Sequence, residues 1–220
     1  VTPPRYDVVL LDLDGTIIDS EPGIQTALRH AITQGFGIAP TQADLDEFMG
    51  PPLDEVLPRV YGITDPADVA RFFELYCGVY FHGTEYEFDV YPGMADLIRD
   101  LHAAGVRVVL ATAKPDESAA RILDHAGLAE CFEFVGGSHV DGSRQDKVDV
   151  LAHTLEQIGA NGDTLRIVLV GDRALDHRAA SAHGADSILV TWGYAPDGEL
   201  DEVPANALVH DVAALRALLI

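Results

Sequence analysis

The sequence predicts an α/β fold: a parallel sheet with helices on both faces, interrupted after its first strand by a helical insertion. Three observations carry that expectation. Short apolar runs rich in β-branched residues recur along the chain, as in strands buried on both faces. Helical patterns lie between most of these runs, and such alternation builds parallel sheets. The alternation breaks once, over residues 18–88, where no convincing strand can be read. At 220 residues the chain exceeds the ~100–150 residues usual for one domain, so a single domain with a sizeable insertion is the natural division.

The predicted strands are residues 8–13, 107–111, 133–135, 166–170, 187–191 and, more weakly, 207–209. Between them, "PGMADLIRDLHAAG" has Pro92 at its start and Gly105 at its end, the asymmetry expected of helix entry and exit. "DKVDVLAHTLEQIG", from Asp146 to Gly159, repeats the design. Within the insertion, "PGIQTALRHAITQGFG", "TQADLDEFMG", "LDEVLPRVYG" and "DPADVARFFELYCGVYF" each space apolar residues three and four apart, which reads as a small helical bundle.

Charge narrows the partners. Fourteen basic against 36 acidic residues give a net charge of −22, which suits neither nucleic acid nor an anionic membrane. No apolar stretch approaches the ~18 residues of a membrane span, and the chain opens without a charged-then-apolar signal segment, so a soluble, unexported protein is expected. Cys77 and Cys131 alone build neither a disulfide framework nor a cysteine metal site, which fits a reducing cytoplasm. Lys114 and Lys147 are the sole lysines of a chain that otherwise uses arginine as its cation.

Ligands of open parallel sheets bind at the carboxyl ends of the strands. There the first strand delivers Asp12 and Asp14 in "LLDLDGTIIDS", the strand from Arg107 leads into Thr112, and "RIVLV" runs into "GDRALD" with Asp172 and Asp176. Lys147 opens a helix after the Gly136-Gly137 and Asp141-Gly142 turns and can reach the same rim. Close carboxylates repel unless a cation joins them, and hard oxygen donors favour magnesium over zinc. Thr112, the amides around it and Lys147 form an anion site opposite the metal, and these parts together are the ingredients of phosphoryl transfer. Two aspartates whose surroundings push their pKa values apart supply a nucleophile and an acid. Gly15 permits a sharp turn beside a phosphate, and the Thr16 hydroxyl can lock that turn.

"DLDGT", "TAK" at 112–114, Lys147 and "GDRALD" resemble, in order and spacing, the four motifs of the haloacid dehalogenase superfamily of phosphatases. The resemblance covers nearly the whole chain. It implies a Rossmann-like catalytic core over 1–17 and 89–220 and a small helical cap domain over 18–88. "GPPL" at 50–53, "VYPGM" at 90–94, "DGSRQDK" at 141–147 and "WGYA" at 192–195 look like the phosphoglycolate phosphatase-like branch. The resemblance implies Asp12 as the nucleophile that forms an aspartyl phosphate, and Asp14 as general acid and then base. It implies magnesium held by the Asp12 carboxylate, the Asp14 main-chain carbonyl and Asp172, with Asp176 supporting the metal waters or Lys147. Thr112 and the Ala113 amide would bind the phosphoryl oxygens, with Gly15 at the turn beside them and Lys147 balancing their charge. The implied reaction is magnesium-dependent hydrolysis of a small phosphate monoester, phosphoglycolate-like or a nucleotide or sugar phosphate. A sugar phosphomutase of the same superfamily carries the same motifs. A receiver-like signalling domain also uses acids, a threonine and a lysine around a phosphoaspartate, but is shorter and lacks the insertion.

Several residues have plainer readings. The histidines show no ligand spacing, Arg173 is expected to point outward into surface pairs, and Lys114 reads as a solvated helix-start residue, with contact to substrate the alternative. Arg29, Arg59 and Arg71 are the cations of the insertion, and helix-surface charge is the expectation for each. His177, Ala195 and Asp146 depart from the common pattern of the superfamily.

Overall fold

The computed structural model describes residues 4–51, 53–139, 144–160 and 164–220. The chain divides into two units, Val1–Asp19 with Val90–Ile220, and Ser20–Asp89. In the first, β1 (Val8–Leu11), β4 (Arg107–Pro115), β5 (Phe134–Ser138), β6 (Ile167–Gly171), β7 (Asp186–Val190) and β8 (Ala207–Val209) form a sheet. Their order is β5-β4-β1-β6-β7-β8, and each pair is parallel. A two-stranded sheet joins β2 (Ile18–Asp19) and β3 (Asp89–Val90).

All four residues of β1 are fully buried, as a central strand covered on both faces requires. Val8 and Leu10 pack with Leu151 and Leu155 of α7 (Lys147–Gln157) and Ala179 and Ala180 of α8 (Ala174–Ala182). Val9 and Leu11 alternate to the opposite face. Also against β4 lies α5 (Met94–Ala103), which buries Met94, Leu97, Ile98 and Leu101 at helical spacing and touches α9 (Val212–Leu219). Leu11 is in register with Leu110 on one side and Val170 on the other. Because the chain leaves β5 and re-enters the sheet at β6 across β1, the carboxyl end of β1 is the switch point where such sheets hold ligands.

The second unit holds α1 (Glu21–Phe36), α2 (Gln42–Asp46), α3 (Leu53–Tyr61) and α4 (Pro66–Tyr80). It has its own core, in which Ala27, Leu28, Ala31 and Ile32 of α1 meet Phe72 and Tyr76 of α4. Thr41 and Asp65 cap α2 and α4 by accepting backbone N–H groups, which explains why those helices start where they do.

Several boundaries differ from expectation. β1 stops at Leu11, and residues 18–88 do contain one short strand, β2. Pro92 does not open α5: Gly93 occupies the cap position at φ +87° and Met94 is the first helical residue. β4 runs on through Thr112, Ala113 and Lys114 to Pro115, with its register to β5 shifting between Ala111 and Pro115. The pairing with β5 overrides the polar character of those residues. Gly136 and Gly137 form no turn but lie inside β5. A Cβ on Gly137 would come 2.5 Å from Asp116 N and 2.6 Å from Lys114 O, so glycine serves close strand approach there. The Asp141-Gly142 turn and Pro52 lie outside the described residues.

Candidate active site

The site grows from the end of β1. The Asp12 N–H donates to Val170 O at 2.9 Å, which extends the ladder by one residue and sets the carboxyl beside β6. Lys147 begins α7, where Asp146 caps the helix by accepting the Val148 N–H at 2.8 Å. Its ammonium lies 2.7 Å from Asp12 Oδ1 and 2.7 Å from Asp176 Oδ1. Asp176, in the first turn of α8, is wholly buried and accepts the Arg173 N–H on its second oxygen at 3.0 Å. Asp172 follows β6 directly; its Oδ2 accepts the Tyr194 N–H at 2.7 Å and its Oδ1 a longer bond of 3.4 Å from the Thr16 hydroxyl. Gly15 turns the chain at φ +75°, and a Cβ there would overlap Asp172 Oδ2, so both the angle and the space require glycine.

Asp12, Asp172 and Asp176 bring a carboxylate oxygen each within 4.8 Å of one another. Lys147 is the ammonium in direct contact with this group. Burial raises the Asp12 pKa to about 6; Lys147 opposes the rise, and Asp176 and Asp14 add to it. Burial, followed by the charges of Asp12 and Asp176, pushes Asp172 up to about 8. Burial works to lower the Lys147 pKa, but Asp12 and Asp176 outweigh it and the lysine is held charged. Three enclosed carboxylates with one ammonium leave uncompensated negative charge among hard oxygen donors, a set that suits a small divalent cation.

Of the residues singled out in the sequence, Asp12, Lys147, Asp172 and Asp176 converge, with Gly15 and Thr16 against Asp172. The Asp14 carboxylate stays outside the three-acid group, its Oδ1 lying 3.3 Å from Lys114 Nζ. Thr112 is buried within β4 and its hydroxyl oxygen accepts the Lys114 N–H at 3.2 Å, whereas Ala113 is exposed.

Three expectations are corrected. Lys114 is not solvated: its side chain is 7% exposed, because β4 continues and carries it inward over Asp14. Arg173 does not point into surface pairs; its Nε donates to Glu199 at 2.9 Å in a mostly buried ion pair, and Glu199 also accepts the Ala174 N–H at 2.7 Å. The Thr16 hydroxyl reaches Asp172 rather than locking its own turn.

Sequence reasoning missed the part played by "WGY". Trp192 Nε1 donates to Thr16 O at 3.2 Å, while Tyr194 bonds Asp172 through its N–H and Asp19 through its hydroxyl at 2.8 Å. Its signal, an aromatic pair around glycine after β7, shows nothing of the acid it holds. His177 pairs with Ser187 at 2.8 Å, and the described residues hold no group of metal-ligating side chains besides the three acids.

The profile of a family described as haloacid dehalogenase-like hydrolase matches residues 9–190. A tyrosine-protein kinase, PtkA of Mycobacterium tuberculosis, is 38% identical over 204 residues, covering 92% of this chain and 68% of that protein. A 5'-nucleotidase of Pseudomonas aeruginosa is 34% identical over 222 residues, 98% of this chain and 96% of that one. A phosphoglycolate phosphatase of Cereibacter sphaeroides is 34% identical over 212 residues, 92% of this chain and 94% of that one.

Proposed function

The chain belongs to the haloacid dehalogenase-like hydrolases, and from that membership we propose that it is a magnesium-dependent phosphomonoesterase working through an aspartyl phosphate. Its substrate is a small organic phosphate of the kind borne by phosphoglycolate, a nucleotide or a sugar. The relatives' names differ in substrate but share phosphoryl chemistry. The observation that carries the reading is Asp12 enclosed at the end of the central strand, with Lys147 at 2.7 Å and two further buried acids beside it.

An ionised Asp12 oxygen attacks phosphorus, and the bond from phosphorus to the leaving oxygen breaks. Asp14 gives its proton to that oxygen. In the second half Asp14 takes a proton from water as the water oxygen attacks the phosphorus of the aspartyl phosphate, which restores Asp12 and releases inorganic phosphate. Thr112 and the N–H groups of Ala113 and Gly15 donate to the phosphoryl oxygens, and Lys147 offsets the charge that Asp12 and the phosphoryl group bring together. Magnesium would be held by the Asp12 carboxylate, the Asp14 carbonyl and Asp172, with Asp176 steadying Lys147; when bound, it neutralises the acids and the phosphoryl oxygens. We assign the helical insertion, read over 18–88, as a cap domain, with the helical core of Ser20–Asp89 as support. A small neutral or acidic ester, free in the cytoplasm, is the partner that a chain of net charge −22 accommodates better than nucleic acid.

The test is phosphate release from about fifty phosphate esters. Activity should appear with magnesium, vanish in EDTA and return on adding magnesium back, while calcium, with its larger and looser coordination, should inhibit. Full turnover in chelator would contradict the reading. The kinase-named relative favours a second reading, in which the aspartyl phosphate passes its phosphoryl group to a hydroxyl acceptor instead of water. Transfer of label from phosphoenzyme to an added hydroxyl compound, without phosphate release, would select it.

A further inference from the structure

Lys147 finds its place in the site, but the chain's other lysine does not yet. Lys114 sits near the end of β4, where the register to β5 shifts. Two constraints aim it. Its N–H donates to Thr112 Oγ1 at 3.2 Å, tying it to the threonine that faces the phosphoryl group in the proposed reaction. Its carbonyl lies against Gly137, where a Cβ would stand 2.6 Å away, so β5 approaches closely enough to fix the backbone. From this backbone the side chain is 7% exposed and places Nζ 3.3 Å from Asp14 Oδ1.

Asp14 itself is 24% exposed, yet its Oδ1 is enclosed. The carboxyl therefore has an inner oxygen, facing the ammonium, and an outer one, through which a substrate oxygen or a water can be reached. A carboxylate on a short side chain swings about its last bond, and one oxygen fixed by a cation defines where the other points. Proton transfer needs that definition, because the acid must lie within hydrogen-bond reach of the departing oxygen.

We propose that Lys114 is a positioning residue for Asp14: it holds Oδ1 so that Oδ2 is presented to the leaving oxygen in the first step and to water in the second. Each lysine of the chain then serves one aspartate of the "DLD" pair, Lys147 the nucleophile and Lys114 the acid. The proposal rests on the phosphatase reading above, and it concerns proton transfer alone.

The test compares two esters. In p-nitrophenyl phosphate the leaving group departs almost unaided, whereas in glycerol 2-phosphate the alcohol needs its proton and is neutral, so Lys114 has no anion on it to hold. General acid help is worth ~10²–10⁴-fold. Lys114→Met, and Lys114→Gln as the variant that keeps a polar tip, should slow phosphoenzyme formation, read as the single-turnover rate of alcohol release, by about 10²-fold with glycerol 2-phosphate and by less than about tenfold with p-nitrophenyl phosphate. KM should be little changed, and Lys114→Arg should recover part of the loss. Combined with Asp14→Asn, Lys114→Met should add almost nothing, because both remove the same function. Equal losses on both esters would overturn the proposal, as would full additivity with Asp14→Asn, which would place Lys114 on the substrate itself. A wild-type protein inactive on both esters and across the wider panel would instead remove the phosphatase reading, and this proposal with it.

Discussion

Asp172 shows how far a single residue can be read from sequence. Its place after a strand marked it as a site acid, but neither its neighbours nor the burial that pushes its pKa to about 8 can be seen in "GDRALD". The bonds from Thr16 and Tyr194 come from residues 156 and 22 positions away, a separation that only folding closes. The raised values have a thermodynamic consequence. An acid that holds its proton more tightly folded than unfolded favours the folded state at low pH, and that help is lost as pH rises through the folded pKa. For Asp12 and Asp172 the unfolded value is 3.8 and the folded values are about 6 and about 8. The metal-free protein should therefore lose stability as pH rises from about 4 to about 8. Magnesium at pH 8 should restore it, and Asp172→Asn should stabilise the metal-free protein there by on the order of 2 kcal/mol. Urea unfolding in EDTA across that range is the check; stability that climbs steadily with pH would contradict it.

At the scale of elements, helices were more legible than strands because their ends carry chemical marks. Asp146 before Lys147, Asp65 before Pro66 and Gly37 after Phe36 all stand where the helices begin or end. Strand ends are set by partners instead: β4 continues past its apolar run because β5 pairs with it, and two glycines that look like a turn are the reason the strands can approach. That hidden continuation turns Lys114 from an expected surface residue into an enclosed one beside Asp14. The start of α7 matters in the same way, since it delivers Lys147 to Asp12. Asp146→Ala removes the cap and should cost ~1 kcal/mol of stability, with Asp146→Asn largely sparing it. The exposed pair with Arg178 adds little. If Lys147 offsets charge at the reacting centre as proposed, the alanine variant should lower kcat more than it raises KM, measured with p-nitrophenyl phosphate. A change in KM alone would mean that the cap affects binding and leaves the ammonium in place.

Across the whole molecule the sequence carried the order of the strands and of the polar residues at their ends, and little that bears on the choice of substrate. In the proposed reaction the strand-end acids, a threonine and a lysine answer the need to stabilise a phosphoryl group, and each stands at or near a strand or helix end of an alternating chain. Nothing comparable constrains the helical unit. Of its cations, Arg29 donates to Pro40 O and Arg59 pairs with Glu47, which are the surface roles that helix patterning suggested. One family can therefore hold this chain and relatives named for a kinase, a nucleotidase and a phosphoglycolate phosphatase.

The central claim is that the two aspartates after β1 divide one reaction, Asp12 taking the phosphoryl group and Asp14 moving the proton. Acid-quenched labelling with an activated, labelled phosphate ester tests it most directly. Asp12→Asn should form no phosphoenzyme, while Asp14→Asn should still be labelled in a burst and then accumulate label, because water attack on the aspartyl phosphate lacks its base. Covalent label on the Asp12→Asn protein, or an Asp14→Asn protein that neither labels nor accumulates, would contradict the account.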